Sequence, residues 1–172
     1  MHCDKHVVKM ILESAQLLST AHRVLDGTET VEKRCVIGST PARWRNVKKW
    51  KLNDARETSI YSASHVNHPS AVWVRSNIDH YRYLHDLFIF LIDEYKFRYG
   101  NKSHKCEQLV VPLFSCPINI QYEASWEEPP QAMPDDCKVL GDSVEAYRNY
   151  YKKYKYSMSK WTRREIPSWF VL

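Results

Sequence analysis

Polar side chains recur along one side of the first predicted helix, at a spacing that suits catalysis or ligand binding. At 100° per residue they fall within about 80° of one another, and they are His6, Lys9, Glu13, Gln16 and Thr20. A carboxylate beside cations can act as a base or stabilise a cationic transition state, and an amine with a lowered pKa can form a Schiff base. We call this set the polar stripe, and Lys5 borders it. The alternative interpretation is an exposed face with an ordinary Lys9–Glu13 ion pair.

The positive charge is concentrated in two segments that contain no acidic residue. The 172 residues include 25 Lys and Arg against 20 Asp and Glu, and residues 33–51 and 148–164 hold 14 of the basic ones. The remainder therefore carries 11 basic and 20 acidic residues, a balance of −9. Both segments interleave tryptophan or tyrosine with the cations. Because cations neutralise phosphates and aromatic faces stack on bases, this pattern favours a nucleic-acid partner over two simply solvated faces.

The hydrophobic pattern predicts a mainly α fold, a single compact helical domain over residues 1–172 with three long helices. The predicted helices cover 4–26 and 76–99, with a third that begins at 142 and a shorter one over 103–111. Residues 28–66 form a basic loop that can fold as a small β-hairpin, with β-like runs at 31–37, 47–52 and 58–62. Residues 112–142 form an acidic, proline-bearing wrap over the surface.

Several finer features follow from the same periodicity. Asp4 and Gly27 are the expected N-cap and C-cap of the first helix, and Val8 and Leu12 belong to its apolar side. In the third helix one row is expected to pack inward: Val144, Tyr147, Tyr151, Tyr154, Met158 and Trp161. A second row, which we call the basic ridge, consists of Arg148, Lys152 and Lys155.

Composition argues against several classes of protein. Only four glycines occur and no GxGxxG or GxxxxGK[ST] motif is present, so a glycine-rich phosphate loop is excluded. The five cysteines form no CxxC pair and the eight histidines no HExxH motif, so no metal and no cofactor is expected. The longest strongly apolar run, 87–92, is far too short to span a bilayer, and no signal peptide is apparent. We expect a soluble, cytoplasmic protein without a membrane role.

Short motifs spread along most of the chain resemble a family of phage-borne proteins that are labelled pyrimidine-dimer DNA glycosylases. The resemblance rests on 3–10 (CDKHVVKM) with Glu13, on 67–69 (NHP), 71–75 (AVWVR), 94–95 (EY), 98–100 (RYG), 132–134 (AMP), 146–151 (AYRNYY) and on Trp161. It leaves out much of residues 28–66. More distantly the chain is similar to glycosylases of the endonuclease V type. Membership would place the protein in the cytoplasm of the phage's host.

The more distant resemblance implies a compact helical fold and assigns roles to two residues. In that type of enzyme an early helix carries a DNA-contacting His and a catalytic Glu seven residues later, and His6 and Glu13 match this spacing. The same enzymes use their N-terminal amine as nucleophile, on a short segment before the helix. Here Met1 precedes His6 by five residues, so we expect either that the chain starts late or that lyase chemistry does not occur. Lys9 is the alternative amine.

Two functional hypotheses follow, and a third is weaker. In the first, the protein acts on DNA as a glycosylase, and its catalytic residues are Glu13, Lys9 and His6. Within this hypothesis the sequence supports phosphate binding better than base excision. In the second, it is a non-enzymatic phage protein that sequesters a phosphorylated nucleotide signal of host defence, and the ligand is surrounded by His6, Lys9, Arg75, Arg148 and Tyr151. The third is an assembly module whose basic faces meet an acidic partner. The expected ligand- or phosphate-binding residues are Lys5, Gln16, His68, Trp73, Arg75, Tyr147, Arg148, Tyr151, Lys152 and Lys155.

Overall fold

The computed structural model describes residues 2–35, 38 and 43–170. Over these residues the protein is mainly α-helical with one small antiparallel hairpin, which confirms the predicted fold class. None of the helices in the described ranges has the length and apolar character that crossing a membrane needs. The longer elements are α1 (Asp4–Asp26), β1 (Thr28–Cys35), β2 (Trp44–Lys51), α2 (Arg56–Ser59), α3 (Pro69–Ser76), α4 (Ile78–Arg98) and α5 (Ser143–Tyr150). Short 3-10 helices cover Lys105–Leu109, Asp135–Cys137, Tyr156–Met158 and Ser168–Phe170, and a π-helical turn covers Tyr151–Lys155.

Helix α1 has the predicted bounds and buries one apolar face against α4 and α3. Val7, Ile11 and Leu18 are fully buried, and each such side chain stabilises the fold by about 1.5–3 kcal/mol. Val8 and Leu12, which were predicted on the buried side, are instead exposed. The buried arc of α1 is therefore narrower than its apolar composition suggests, because the neighbouring helices cover only part of its circumference.

The predicted N-cap of α1 is wrong by one residue. Cys3 occupies the cap position, and Asp4 lies in the first turn. The Asp4 carboxylate accepts hydrogen bonds from the backbone N–H of Thr162 at 3.0 Å and from Arg98 Nη1 at 2.8 Å, which lowers its pKa although its partial burial acts in the opposite direction. An anion here also complements the helix dipole. Asp4 thus joins the start of α1 to the end of α4 and to the chain near the C-terminus.

Helix α4 is the central helix of the core. Tyr81 and Phe88 are fully buried, and the helix packs against both α1 and α3. Its N-cap is Asn77, whose Oδ1 accepts the backbone N–H of Asp79 at 2.8 Å, so the helix begins at Ile78, two residues after the predicted start at 76. The helix stops at Arg98, shortly before Gly100 takes a φ of +69°, a conformation that glycine adopts without strain.

The hairpin pairs β1 and β2 antiparallel, from Thr28 opposite Lys51 to Cys35 opposite Trp44. It confirms the small hairpin expected within 28–66, and the end of the first β-like run and the connecting turn lie partly outside the described residues. The third β-like run is wrong, because residues 56–59 form the helical turn α2. Asp54 favours that turn by accepting the backbone N–H of Arg56 at 2.9 Å.

Arg23, near the end of α1, fixes the base of the hairpin. Its buried guanidinium donates to the carbonyl of Trp50 at 3.1 Å, to the carbonyl of Tyr61 at 2.6 Å and to Glu57 Oε2 at 2.6 Å. Gly27 allows the chain to pass close to the carbonyl oxygen of Arg23, since a Cβ at this position would lie 2.4 Å from that oxygen. The hairpin therefore leaves the core from the C-terminal end of α1 at a fixed base.

The third long helix does not continue as predicted. Helix α5 starts as expected, with Asp142 accepting the backbone N–H of Glu145 at 2.9 Å, but the chain changes to a π-helical turn after Tyr150 and then to a 3-10 turn. The predicted inward row is consequently broken: Tyr151 and Trp161 are buried, whereas Val144, Tyr147 and Tyr154 are exposed. A π turn adds a residue per turn, so positions before and after it cannot share one stripe.

The acidic segment 112–142 lies along α3, α4 and the start of α5. The indole N–H of Trp73 donates to the Glu127 carbonyl at 3.0 Å, and the Asn77 amide donates to the Ala124 carbonyl at 2.7 Å. The Ser143 hydroxyl donates to the Glu128 carboxylate at 2.5 Å. These contacts hold the segment against the helices without β-pairing of its own.

Candidate functional site

The first turns of α1 touch the C-terminal segment, residues 143–170. The Nδ1 atom of His6 lies 2.5 Å from the Tyr151 hydroxyl, and the two rings meet edge to face with centroids 5.1 Å apart. A small second hydrophobic core holds the start of α1 against the C-terminal segment. It consists of Cys3, Tyr151, Trp161 and Phe170, with Met158 and Trp169 packed against it. The polar stripe and the π-helical turn that carries part of the basic ridge therefore adjoin one another.

The Tyr151 hydroxyl lies between two imidazoles. His2 Nδ1 is 3.2 Å away and His6 Nδ1 is 2.5 Å away. A hydroxyl has one proton, so it donates to one ring and accepts from the other, and the shorter distance fits donation to His6. Burial raises the pKa of Tyr151 well above its ordinary value, so the hydroxyl keeps this proton at neutral pH.

His6 is uncharged at neutral pH. Burial lowers its pKa, and the positive charges of Lys155 and Lys9 lower it further, against the opposing effect of Glu13. With Nδ1 accepting from Tyr151, the ring proton resides on Nε2, which becomes a hydrogen-bond donor. Lys9 of the polar stripe and Lys155 of the basic ridge are both near enough to this ring for their charges to lower its pKa.

Lys9 and Glu13 form the ion pair that the sequence suggested. Lys9 Nζ lies 3.0 Å from Glu13 Oε1, and the two side chains are 63% and 39% exposed. Pairs at this exposure add little stability, so Glu13 remains accessible to a ligand. The Glu13 charge also acts on Tyr147, where it adds to the effect of burial in raising the pKa of that phenol. The Glu13 carboxylate is therefore near enough to α5 for its charge to act there, as the smallest of the contributions to the pKa of Tyr147.

The basic ridge is held by aromatic side chains. Lys155 Nζ lies 5.0 Å from the centroid of the Tyr150 ring, and the Arg148 guanidinium lies 5.8 Å from that of Trp169. Arg148 also approaches Glu145 at 3.5 Å, with both side chains about 41% exposed. Cation–π contacts of this kind orient the cations without neutralising them. The ridge keeps positive charge beside the polar stripe.

The remaining predicted residues divide by element. Lys5 is exposed in the first turn of α1, Gln16 is half-buried one turn beyond the Lys9–Glu13 pair, and Thr20 is buried and donates to the Ser64 carbonyl at 3.3 Å. Lys152 is half-buried in the π-helical turn. Only Thr20 is therefore removed from the accessible part of the polar stripe.

Three predicted ligand residues around α3 have structural contacts instead. His68 caps α3 by accepting the Ser70 backbone N–H at 3.2 Å. Trp73 is buried and stacks on His80 with centroids 4.3 Å apart, so one face of its indole is covered. Arg75 Nη1 donates to the Val66 carbonyl at 2.7 Å. No described contact links these three residues to His6 or Tyr151, and their binding role stays a prediction.

Sequence reasoning missed the residues that fix the first turn of α1. His2 shares the Tyr151 hydroxyl with His6, and Arg98 is fully buried between Asp4 and Glu94 at 2.8 Å and 2.6 Å. Glu94 also pairs with Arg164 at 2.7 Å. The four-residue spacing of His2 and His6 was a usable signal, whereas the ion-pair network joins residues too distant along the chain for any local pattern.

The described residues offer no second set with obvious chemistry. Among them no group of three or more His, Cys, Asp or Glu side chains could hold a metal ion. A cavity of about 440 Å³ lies at the N-terminal half of α4, lined by Tyr81, Arg82, His85, Cys116 and Tyr122 among others, away from the polar stripe. Comparison with known protein families, with curated proteins and with solved structures found no match.

Proposed function

We propose that the protein acts on DNA, which it binds where the polar stripe meets the basic ridge, and that Glu13 is the carboxylate of a base-excision reaction at this face. The contact between His6 and Tyr151 carries the proposal, because it brings a helix with an accessible carboxylate next to the π-helical turn, whose Lys152 and Lys155 form no ion pair among the described residues. Lys5, Lys152 and Lys155 supply charge for phosphates, and His6 Nε2–H supplies a neutral donor. The family resemblance implies the same pair, His6 and Glu13.

In the proposed reaction the oxygen of a water molecule bonds to the sugar C1′ as the bond between C1′ and the base breaks, and the departing base takes up a proton from solvent. Glu13 stabilises the positive charge that develops on the sugar and accepts a proton from the attacking water. Lys9 is engaged by Glu13 at 3.0 Å, so the arrangement presents an ion pair rather than a free amine. We propose hydrolysis with Lys9 as the ion-pair partner of Glu13, and an imine formed by Lys9 is the alternative that a trapping experiment tests.

Sequestration of a single phosphorylated nucleotide has less support. That hypothesis placed Arg75 around the same ligand as His6, Lys9, Arg148 and Tyr151, and Arg75 instead bonds the Val66 carbonyl. The π turn separates Arg148 from Lys152 and Lys155, so the predicted single row is broken, and cations spread over successive turns suit successive phosphates of a strand better than one nucleotide. We therefore prefer a DNA backbone as the ligand.

The salt dependence of binding tests the phosphate contacts. Lys152→Ala/Lys155→Ala is expected to weaken binding of a short DNA duplex about tenfold at 0.1 M salt, and to reduce the slope of log K against log [salt] by about 1.8, or 0.9 per lost contact. Lys102→Ala/Lys105→Ala removes two charges from exposed lysines of another segment and should leave the affinity within about twofold. Fluorescence anisotropy over a salt series measures the affinity and the salt slope of each variant. Equal effects of the two variants, or a shallow slope for the unmodified protein, would contradict the proposal.

A further inference from the structure

The hairpin divides into two halves of different electrostatic character. In the half near the core, Lys48 pairs with Glu29 at 2.8 Å and Lys49 pairs with Glu32 at 2.6 Å. The segment 33–51 is acid-free in sequence, but β1 supplies acidic partners across the ladder. The lysines nearest the core are therefore largely neutralised within the hairpin.

The outer half of the hairpin concentrates uncompensated charge. Arg34 and Arg45 are directly opposite one another in the ladder, so their side chains share one face. The carboxylate of Glu32 is two residues away on that face, but it is engaged by Lys49. Among the described residues no carboxylate forms an ion pair with either arginine. Like charges directly opposite are destabilising, and an anion bound between them would relieve this repulsion.

The other face of the outer half carries an exposed aromatic ring. Trp44 is 67% exposed, which is unusual for the largest apolar side chain. It lines an open cavity of about 500 Å³ together with Lys33 and Asn46. A cation and an amide beside an accessible indole provide a phosphate contact and a stacking surface for one unpaired base.

We propose that the outer half of the hairpin is a second nucleic-acid site for a single-stranded segment that passes around the edge of the two-stranded ribbon. Trp44 stacks on a base and Lys33 binds the backbone on one face, and Arg34 and Arg45 bind the backbone on the other. This inference rests on the proposed function only in taking a nucleic acid as the partner. Its location is separate, because the hairpin leaves the C-terminal end of α1, about 20 Å along the helix axis from Glu13. Phosphates neutralise the opposed arginines, and stacking on Trp44 demands a base outside a duplex.

Two charge-matched double variants test the site with a fluorescent 12-nucleotide oligothymidylate. Arg34→Ala/Arg45→Ala is expected to weaken binding at least tenfold and to reduce the salt slope by about 1.4, or 0.7 per single-strand contact. Its melting temperature should not fall, since the substitution removes a repulsion. Lys48→Ala/Lys49→Ala removes the same charge from lysines that Glu29 and Glu32 already hold, and should change affinity less than threefold. Equal losses in both variants, or none in either, would overturn the proposal.

A second pair of variants separates stacking from charge. Trp44→Ala is expected to weaken oligothymidylate binding about tenfold, within the usual range for one stacked base, while Trp44→Phe retains most of the affinity. Full binding by Trp44→Ala overturns the stacking role. The stacking role is also wrong if Trp44→Ala loses binding only to a duplex probe or only to an acidic protein partner. An indole that contacts those ligands is not stacking on an unpaired base.

The same assays keep the two proposals apart. If the hairpin variants bind oligothymidylate normally while Lys152→Ala/Lys155→Ala loses duplex binding, the hairpin proposal is wrong and the proposed function stands. If the hairpin variants lose oligothymidylate binding while the lysine variant binds duplex normally, the hairpin site stands and the phosphate contacts of the basic ridge are wrong.

Discussion

Replacing Glu13 with glutamine is expected to lower the rate of base excision from a duplex with one pyrimidine dimer at least ~100-fold, the lower end of what general acid–base catalysis contributes. The amide keeps the shape of the side chain but cannot accept a proton or stabilise a positive charge on the sugar. DNA affinity should stay within about twofold, because the phosphate contacts come from other residues. Single-turnover excision and equilibrium binding measure the two quantities separately.

Glu145→Gln is the matched control for Glu13→Gln. Glu145 is a carboxylate of similar exposure on the adjoining helix, 3.5 Å from Arg148, and the proposed reaction does not use it. It should excise at the unmodified rate. Glu13→Gln with undiminished excision would show that this carboxylate is not catalytic. Borohydride reduction adds a test of the nucleophile: a trapped protein–DNA adduct that disappears in Lys9→Met would replace hydrolysis by an imine route.

Acid is expected to destabilise the fold through one buried histidine. His22 is 1% exposed, accepts from Arg56 at Nδ1 and contacts the Tyr81 hydroxyl through Nε2, each at 2.8 Å. Burial, and then the charge of Arg56, lowers the pKa of His22 from 6.5 to about 4. Between pH 4 and pH 6.5 the unfolded chain therefore binds more protons than the folded one. The contribution of His22 to folding stability is complete above pH 6.5 and is lost as the pH falls towards 4.

Through His22 alone the expected loss of folding free energy is about 2 kcal/mol between pH 7 and pH 5, since each unit of pKa difference corresponds to about 1.36 kcal/mol over its range. The whole protein loses more, because burial also lowers the pKa of His2 to about 4. Urea denaturation at the two pH values measures it, and His22→Gln should show a correspondingly smaller decline. Imidazole NMR provides a reading that needs no variant, because the His22 ring should stay neutral down to about pH 4. A ring that titrates near 6.5 would contradict the assigned hydrogen bonds.

The main helices follow from local sequence because their signals are local. Regular apolar spacing and Gly27 define α1, and a long apolar helix that ends before Gly100 defines α4. The break after Tyr150 has no such signal, since residues 143–158 contain neither proline nor glycine. The turn occurs where Tyr151 is held beside Cys3 and His6. Tertiary contacts there override a periodicity that would otherwise continue the helix.

The candidate site was only half predictable for a related reason. The polar stripe depends on helical spacing within α1, which is visible in the sequence. The contact between His6 of this stripe and Tyr151 joins residues 145 positions apart, and no local pattern specifies such a contact. Trp73 has a contact of the same non-local kind: the acidic segment brings the Trp126 ring to a centroid distance of 5.7 Å from the Trp73 ring, across 53 positions of the chain.

Amide chemical-shift mapping with a 12-base-pair duplex carrying one pyrimidine dimer tests the central claim most directly. If the polar stripe and the basic ridge form one DNA-binding face, a single titration should shift residues 5–16 and 147–155 together, with the same apparent Kd. Shifts confined to one of the two segments, or changes elsewhere while both stay unperturbed, would contradict a shared site.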